Sequence, residues 1–209
     1  MLGLLLPALR VSLVTWVLCG IAYPLSVTGL GQWLLPYQAN GSLVRSPNGT
    51  ILGSRLIGQE WRGPQWFHGR PSATTASDPD APGKTVAAPY NAAASGGSNL
   101  GPTSRTLAGR LVAERRAAEA AEPGLAGKLL PADMLTASAS GLDPDISPAF
   151  AALQAPRVAT ARGVPVGWVA ALVIRHTQGR TFGIFGEPRV NVLELNLDLL
   201  ASQPPRRGS

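Results

Sequence analysis

Serine, histidine and aspartate all occur in the chain, so hydrolysis by an activated nucleophile is the first chemistry to test. Ser95 lies in the run Ala94-Ser95-Gly96-Gly97-Ser98, which lacks the G-x-S-x-G elbow that exposes a nucleophile at a sharp strand-to-helix turn. His68 stands between Phe67 and Gly69-Arg70-Pro71, a setting for a hydrogen-bonded structural histidine. His176 falls in the last turn of an expected helix, where the partial negative charge of the helix end favours it. Asp143 and Asp145 flank Pro144; they have the types of an acid–base pair, but Asp-Pro-Asp is first of all turn and helix-start chemistry. Two distant histidines and the single cysteine, Cys19, lack the spacing of metal ligands. No catalytic residue and no metal ligand is therefore assigned.

The run from Ser95 through Gly96, Gly97, Ser98 and Asn99 to Gly101 is rich in glycine, and its backbone N–H groups could face an anion. It lacks the GK[ST] ending of a phosphate-binding P-loop and has no lysine beside it. Those first five residues are the candidate cofactor positions.

Apolar residues make up 45% of the chain and charged residues 14%, with a net charge of +6. The cations are scattered, adjacent only at Arg115-Arg116 and Arg206-Arg207, and form no basic stripe interleaved with aromatics; nucleic acid is excluded as a partner class. No charge falls between Arg10 and Arg45. Residues 11–30 within that stretch span about 30 Å as a helix, the thickness of a bilayer core. The run is too long for the apolar core of a cleaved signal, and no small-x-small exit follows it. A transmembrane helix is expected over 8–30, with Pro24 tolerated inside it. Gly20, Gly29 and Gly31 would let another helix approach closely, and Trp33 and Tyr37 fall at interfacial depth. The amino group and Arg10 before the span favour an inside N-terminus and an extracytoplasmic domain.

That domain, 31–203, reads as a single α+β unit of mixed helices and strands, followed by a tail, 204–209, expected to be disordered. A hairpin is expected at 40–59, around Ser46-Pro47-Asn48-Gly49 as a type I turn. Trp66-Phe67 would begin an extended piece, and 72–89 a polar, proline-rich loop. Thr103 or Ser104 would cap a helix to Ala121; Ser147 with Pro148 would open another, ended or kinked at Pro156. Further expectations are a helix over 167–178, a strand over 180–185, and a segment over 189–200 that fits either periodicity. Pro188 tips that last segment towards helix.

Seven strings carry a resemblance: TGLGQWLLPYQANGSLV (28–44), GSRLIGQ (53–59), FHGRPSA (67–73), YNAAASGGSNLGP (90–102), LTASASGLDPDISP (135–148), QAPRVATARG (154–163) and GEPRVNVLELNLDL (186–199). In content and order they resemble the C subunit of the Kdp potassium-transporting ATPase, over nearly the whole chain. Trp66 stands where the family more often has Tyr, and the loop between Ala73 and Tyr90 is longer. The resemblance implies a non-catalytic accessory subunit in the cell membrane, beside a channel-like potassium-translocating subunit and a P-type ATPase subunit. It also implies a chaperone-like role in raising ATP affinity, with ATP as cofactor through the ATPase subunit. Candidate partner-binding residues are Gly20, Gly29, Gly31, Trp33, Tyr37, His68, Arg70, Asp143 and Gln154, besides membrane lipid around the span. The competing classes are a membrane-anchored extracytoplasmic hydrolase and a binding module. For the topology, a reporter fused after Leu200 is expected to be active only on the outer face; a cytoplasmic signal there would reverse the orientation.

Overall fold

The computed structural model describes residues 2–202, so the expected tail, 204–209, lies outside the described residues. The chain divides into two compact units, residues 1–54 and 55–209. The first unit opens with α1 (Leu2–Val17), which passes through a π-helical turn (Leu18–Ala22) into α2 (Tyr23–Leu34). In that turn Tyr23 donates its N–H to Leu18 O, one residue beyond the α-helical partner. Pro24 thereby falls in the first turn of a restarted helix, where its missing N–H leaves no gap. The apolar helix over Gly3–Leu34 is long enough to cross a bilayer, and none of it is buried within the chain. It extends several residues past each end of the expected 8–30 span. A short α3 (Pro36–Ala39) follows; Asn40 Nδ2 donates to Gln32 Oε1 at 3.0 Å.

The expected hairpin forms with shorter strands, β1 (Leu43–Arg45) and β2 (Ile51–Ser54), antiparallel. Its turn closes by the Gly49 N–H donating to Ser46 O at 2.9 Å.

In the second unit the expected loop 72–89 holds a small antiparallel hairpin, β3 (Thr75–Ser77) with β4 (Thr85–Ala87). Next come α4 (Arg105–Ala121), capped by Ser104 as expected, a 3₁₀ turn (Pro123–Leu125) and α5 (Ala132–Leu135). Three two- and three-residue strands then form a sheet of order β5-β7-β6: β5 (Asp145–Ile146), β6 (Thr177–Gln178) and β7 (Arg189–Asn191). The helices α6 (Pro148–Arg162), α7 (Val166–His176) and α8 (Val192–Ala201) pack with this sheet. The core is built from Ile146, Phe150, Ala151, Ala155, Val158, Ala159, Val169, Leu172, Val173, Val190, Val192, Leu195 and Leu199, with Phe67 brought in from far upstream.

Four expectations need correction. Pro156 does not break α6: it and Ala152, whose carbonyl loses a donor, lie on the exposed face, where water can serve that carbonyl. Meanwhile Phe150, Ala151, Gln154, Ala155, Val158 and Ala159 keep the 3.6-residue buried stripe intact. Residues 180–185 form a turn rather than a strand, because Phe182 and Gly183 take left-handed backbone angles. Residues 189–200 are strand and then helix, divided at Asn191, whose side chain accepts from Glu194 N and caps α8. The helix expected over 167–178 stops at His176, and its last two residues are β6.

The piece expected to begin extended at Trp66-Phe67 joins no sheet. The Phe67 N–H donates to Asn196 Oδ1 at 2.9 Å, and Asn196 Nδ2 donates back to Phe67 O at 2.9 Å. A side-chain amide on α8 thus supplies both bonds that a neighbouring strand would give. Asn196 is fully buried, so its removal would strand an N–H and a C=O in the core. Asn196→Ala is expected to cost about 2–4 kcal/mol in chemical denaturation; a change within error would refute the clamp.

Candidate functional site: a clamped cleft in the second unit

The segment after β2 has little regular structure, and side chains of α6 and α8 hold it. Beside the Phe67–Asn196 pair, His68 donates its N–H to Gln154 Oε1 at 2.8 Å, and Gln154 Nε2 donates to His68 O at 3.0 Å. Arg157, one turn further along α6, donates to Pro64 O at 2.7 Å, Trp66 O at 3.0 Å and Gln154 Oε1 at 2.7 Å. Its Nε is bound to Glu122 Oε1 at 2.6 Å, an ion pair with little exposure on either side. Arg162 donates to Gln65 O at 2.8 Å and lies over the Trp66 ring, 4.5 Å from its centroid.

This clamped segment forms one wall of a cleft of about 640 Å³. Trp61, His68, Arg70 and Tyr90 line that wall; Phe150, Gln154 and Arg157 form the floor, and Glu114, Ala118 and Ala121 of α4 the opposite side. Such a volume suits a small molecule or a partner side chain. Burial, foremost, holds the His68 imidazole below its ordinary pKa, and the nearby Arg157 charge acts the same way. Neutral His68 donates its Nε2–H to Gly63 O at 2.9 Å, while Ser72, the cleft's hydroxyl, donates to Gly141 O at 2.7 Å. Neither is turned towards the other as base and nucleophile.

Arg70 pairs with Asp143 at 3.0 Å and reaches Thr136 Oγ1 at 3.3 Å. Tyr90 lies between Gly58 and Gly69, and its hydroxyl donates to Arg70 O at 2.7 Å. A Cβ on Gly69 would run into that hydroxyl, and one on Gly58 would come within 2.5 Å of the ring and of Asp143 O. The structure thus brings His68, Arg70, Asp143 and Gln154 into one neighbourhood. Gln154 is buried, whereas the Arg70 and Asp143 side chains each keep about a quarter of their surface exposed, 25% and 29%. Sequence reasoning missed Trp61, Tyr90, Glu122 and Arg157; the i, i+3 spacing of Gln154 and Arg157 on a helix was the one signal for the last.

The Ser95–Asn99 run is elsewhere. The Gly96 N–H donates to Ser140 O at 2.9 Å and Ser95 Oγ donates to the same oxygen at 3.0 Å. A Cβ on Gly97 would meet Ala139 O at 2.7 Å, so the glycine is required for close backbone packing. In the first unit Gly29 and Gly31 have open space around them, whereas the Trp16 ring covers Gly20. Trp33 and Tyr37 are exposed. Among the described residues no group of three or more His, Cys, Asp or Glu is placed to hold a metal ion.

An apolar helix long enough to cross a membrane, joined to an α+β unit with a clamped cleft, is the make-up of a membrane-associated protein. The sequence profile of the family described as "K+-transporting ATPase, c chain" matches residues 5–201. The potassium-transporting ATPase KdpC subunit of Bradyrhizobium diazoefficiens is 54% identical over 92% of this chain and 94% of its own. That of Rhodopseudomonas palustris is 54% identical over 95% and 96%. That of Methylorubrum extorquens is 53% identical over 96% and 98%. The chain belongs to the KdpC family of potassium-transporting ATPase subunits. It is therefore a membrane-located subunit of a potassium transport complex.

Burial pushes the Tyr90 phenol up to about 12, and the charge of Asp143 adds to the effect. The unfolded chain loses this proton near pH 10, before the folded chain does. The Tyr90 contribution to stability is then complete below pH 10 and lost as the pH rises towards about 12. In denaturation series over that window, wild type is expected to lose stability more steeply than Tyr90→Phe; equal slopes would overturn the assignment.

Proposed function

We propose that this chain is the accessory, non-catalytic subunit of an ATP-driven potassium importer, with its N-terminus cytoplasmic and its second unit extracytoplasmic. Its apolar helix docks on the channel-like subunit and the second unit adds a contact beside the potassium entrance. The P-type ATPase subunit hydrolyses ATP, and this chain raises that subunit's ATP affinity by biasing its conformational equilibrium. The observation that carries the reading is the helix Gly3–Leu34, whose whole apolar surface lacks a partner within the chain, in a family of transport-complex subunits. Two linked contacts bind better than either alone, because the second forms at high effective concentration.

The bonding of the Gly96 N–H to Ser140 O favours an indirect effect on ATP over a phosphate cradle at Ser95–Asn99. Gly29 and Gly31 stand two residues apart on a helix, about 200° around the axis, so they cannot both face one partner helix. Of the single variants Gly29→Leu and Gly31→Leu, one is expected to weaken co-purification with the channel-like subunit strongly and the other little. Full assembly of the double variant would defeat the docking helix. The purified chain alone is expected neither to hydrolyse ATP nor to bind it tightly in calorimetry, and turnover by the isolated chain would defeat the non-catalytic assignment.

A further inference from the structure

Three of the most exposed large apolar side chains in the second unit sit in one turn: Phe182 is 88% exposed, Ile184 71% and Phe185 65%. The turn is closely bonded. Thr181 N–H donates to Phe185 O at 2.8 Å, Phe185 N–H to Thr181 O at 2.9 Å, and Gly183 N–H to Arg180 O at 3.0 Å. At its base Arg180 pairs with Glu187 at 2.7 Å. Phe182 has φ +53°, a left-handed conformation that a bulky side chain adopts only where its surroundings impose it. The backbone therefore presents two phenyl rings and a branched chain outward on a bonded frame.

The size of this patch argues against a protein partner held by it alone. An aromatic side chain buries roughly 150–250 Å², so the three together offer roughly 500 Å², short of the roughly 800 Å² per partner of a stable interface. A bilayer makes no such demand. The chain carries its own membrane-spanning helix, and only residues 35–54 separate that helix from the second unit. The tether keeps the turn at high effective concentration near lipid, so a small apolar insertion suffices. Phenyl and aliphatic groups partition into the boundary between headgroups and acyl chains, and the Arg180–Glu187 pair at the base of the turn can stay among the headgroups. We propose that the turn inserts Phe182, Ile184 and Phe185 into the bilayer interface as a second lipid contact of the chain, whichever face of the membrane the second unit occupies.

The test uses the full chain with Cys19→Ser, carrying a single bimane-labelled cysteine as Phe182→Cys, Ile184→Cys or, as control on β4, Thr85→Cys. Each is reconstituted without other subunits in vesicles of phosphatidylethanolamine and phosphatidylglycerol containing a lipid with a nitroxide near the headgroup. Quenching is expected to be several-fold stronger at 182 and 184 than at 85. Equal quenching at all three sites would overturn the proposal. So would shielding of position 182 that appears only when the other subunits are added, since the turn would then be a protein contact. Phe182→Gly, read by the label at 184, is expected to lower the quenching and leave the thermal midpoint unchanged or raised, because glycine takes a left-handed φ freely. A lowered midpoint would show that Phe182 supports the domain and would equally sink the idea. Failure here leaves the subunit reading standing, because that reading rests on the apolar helix and the family.

Discussion

The second unit depends on a segment that carries Phe67 into the core without a strand beside it. Peptide groups taken out of water must find partners, and residues 64–68 have no neighbouring strand to provide them. Apart from the Trp66 N–H, which donates to Gly63 O, their partners are the side chains of Asn196, Gln154, Arg157 and Arg162. An amide side chain carries a donor and an acceptor with the geometry of a peptide group, so Asn196 and Gln154 each replace one residue of a missing strand. This fixes Phe67 in the core, where it joins side chains from α6, α7, α8 and the small sheet.

The same constraint shapes the cleft. One wall and the floor are tied to the core through buried bonds, whereas α4 on the other side has no buried residue along its length. Its half-buried stripe carries Arg110–Glu114 and Arg115–Glu119 pairs, which are partly exposed and contribute only tenths of a kcal/mol each. Elements with few buried apolar contacts open first, so the cleft joins a rigid face to a loosely held one. The Glu122–Arg157 ion pair, just past the end of α4, links them. Taking away Arg157 alone would leave Glu122 partly buried without its cation, a larger penalty than the pair's own net contribution.

What the sequence disclosed were local devices. Ser104 and Ser147 accept from Leu107 N and Phe150 N at 3.3 and 3.0 Å, as capping chemistry requires, and Pro148 opens its helix. The turn at 46–49 closes where Ser, Pro and Gly specify it. The boundary inside 189–200 was also encoded, because Asn191 and Glu194 have the spacing of an N-cap and its third helical residue, but the competing periodicities of the leucines hid it. Pro156 misled because its effect depends on which face it occupies, and the face is settled by tertiary packing. The site was the least legible part: Phe67 and Asn196 are 129 residues apart and His68 and Gln154 are 86 apart, and nothing local to either residue names its partner. The family resemblance rested on these same polar strings, and the structure gives several of their residues a backbone to hold.

The choice of neutral polar groups has a further consequence. Among the described residues, those classed as buried and polar are Ser42, Thr74, Ser138, Gln154, Asn191 and Asn196, none of which ionises near neutral pH. Amides and hydroxyls with their bonds made cost far less to bury than charges, and their bonds do not change as protons come and go. The one neutral histidine in the cleft is bonded through its N–H and kept uncharged by burial. The tyrosine beside it holds its proton far into the alkaline range. Where carboxylates do participate, as at Asp198, burial opposes ionisation but bonds from Ser202 and His176, with the charge of Arg175, hold the group below the usual carboxylate range. Burial thus moves the His68 and Tyr90 titrations in opposite directions, each away from neutrality. A chain with only 14% charged residues can thus hold a segment lacking strand partners largely through neutral amide side chains.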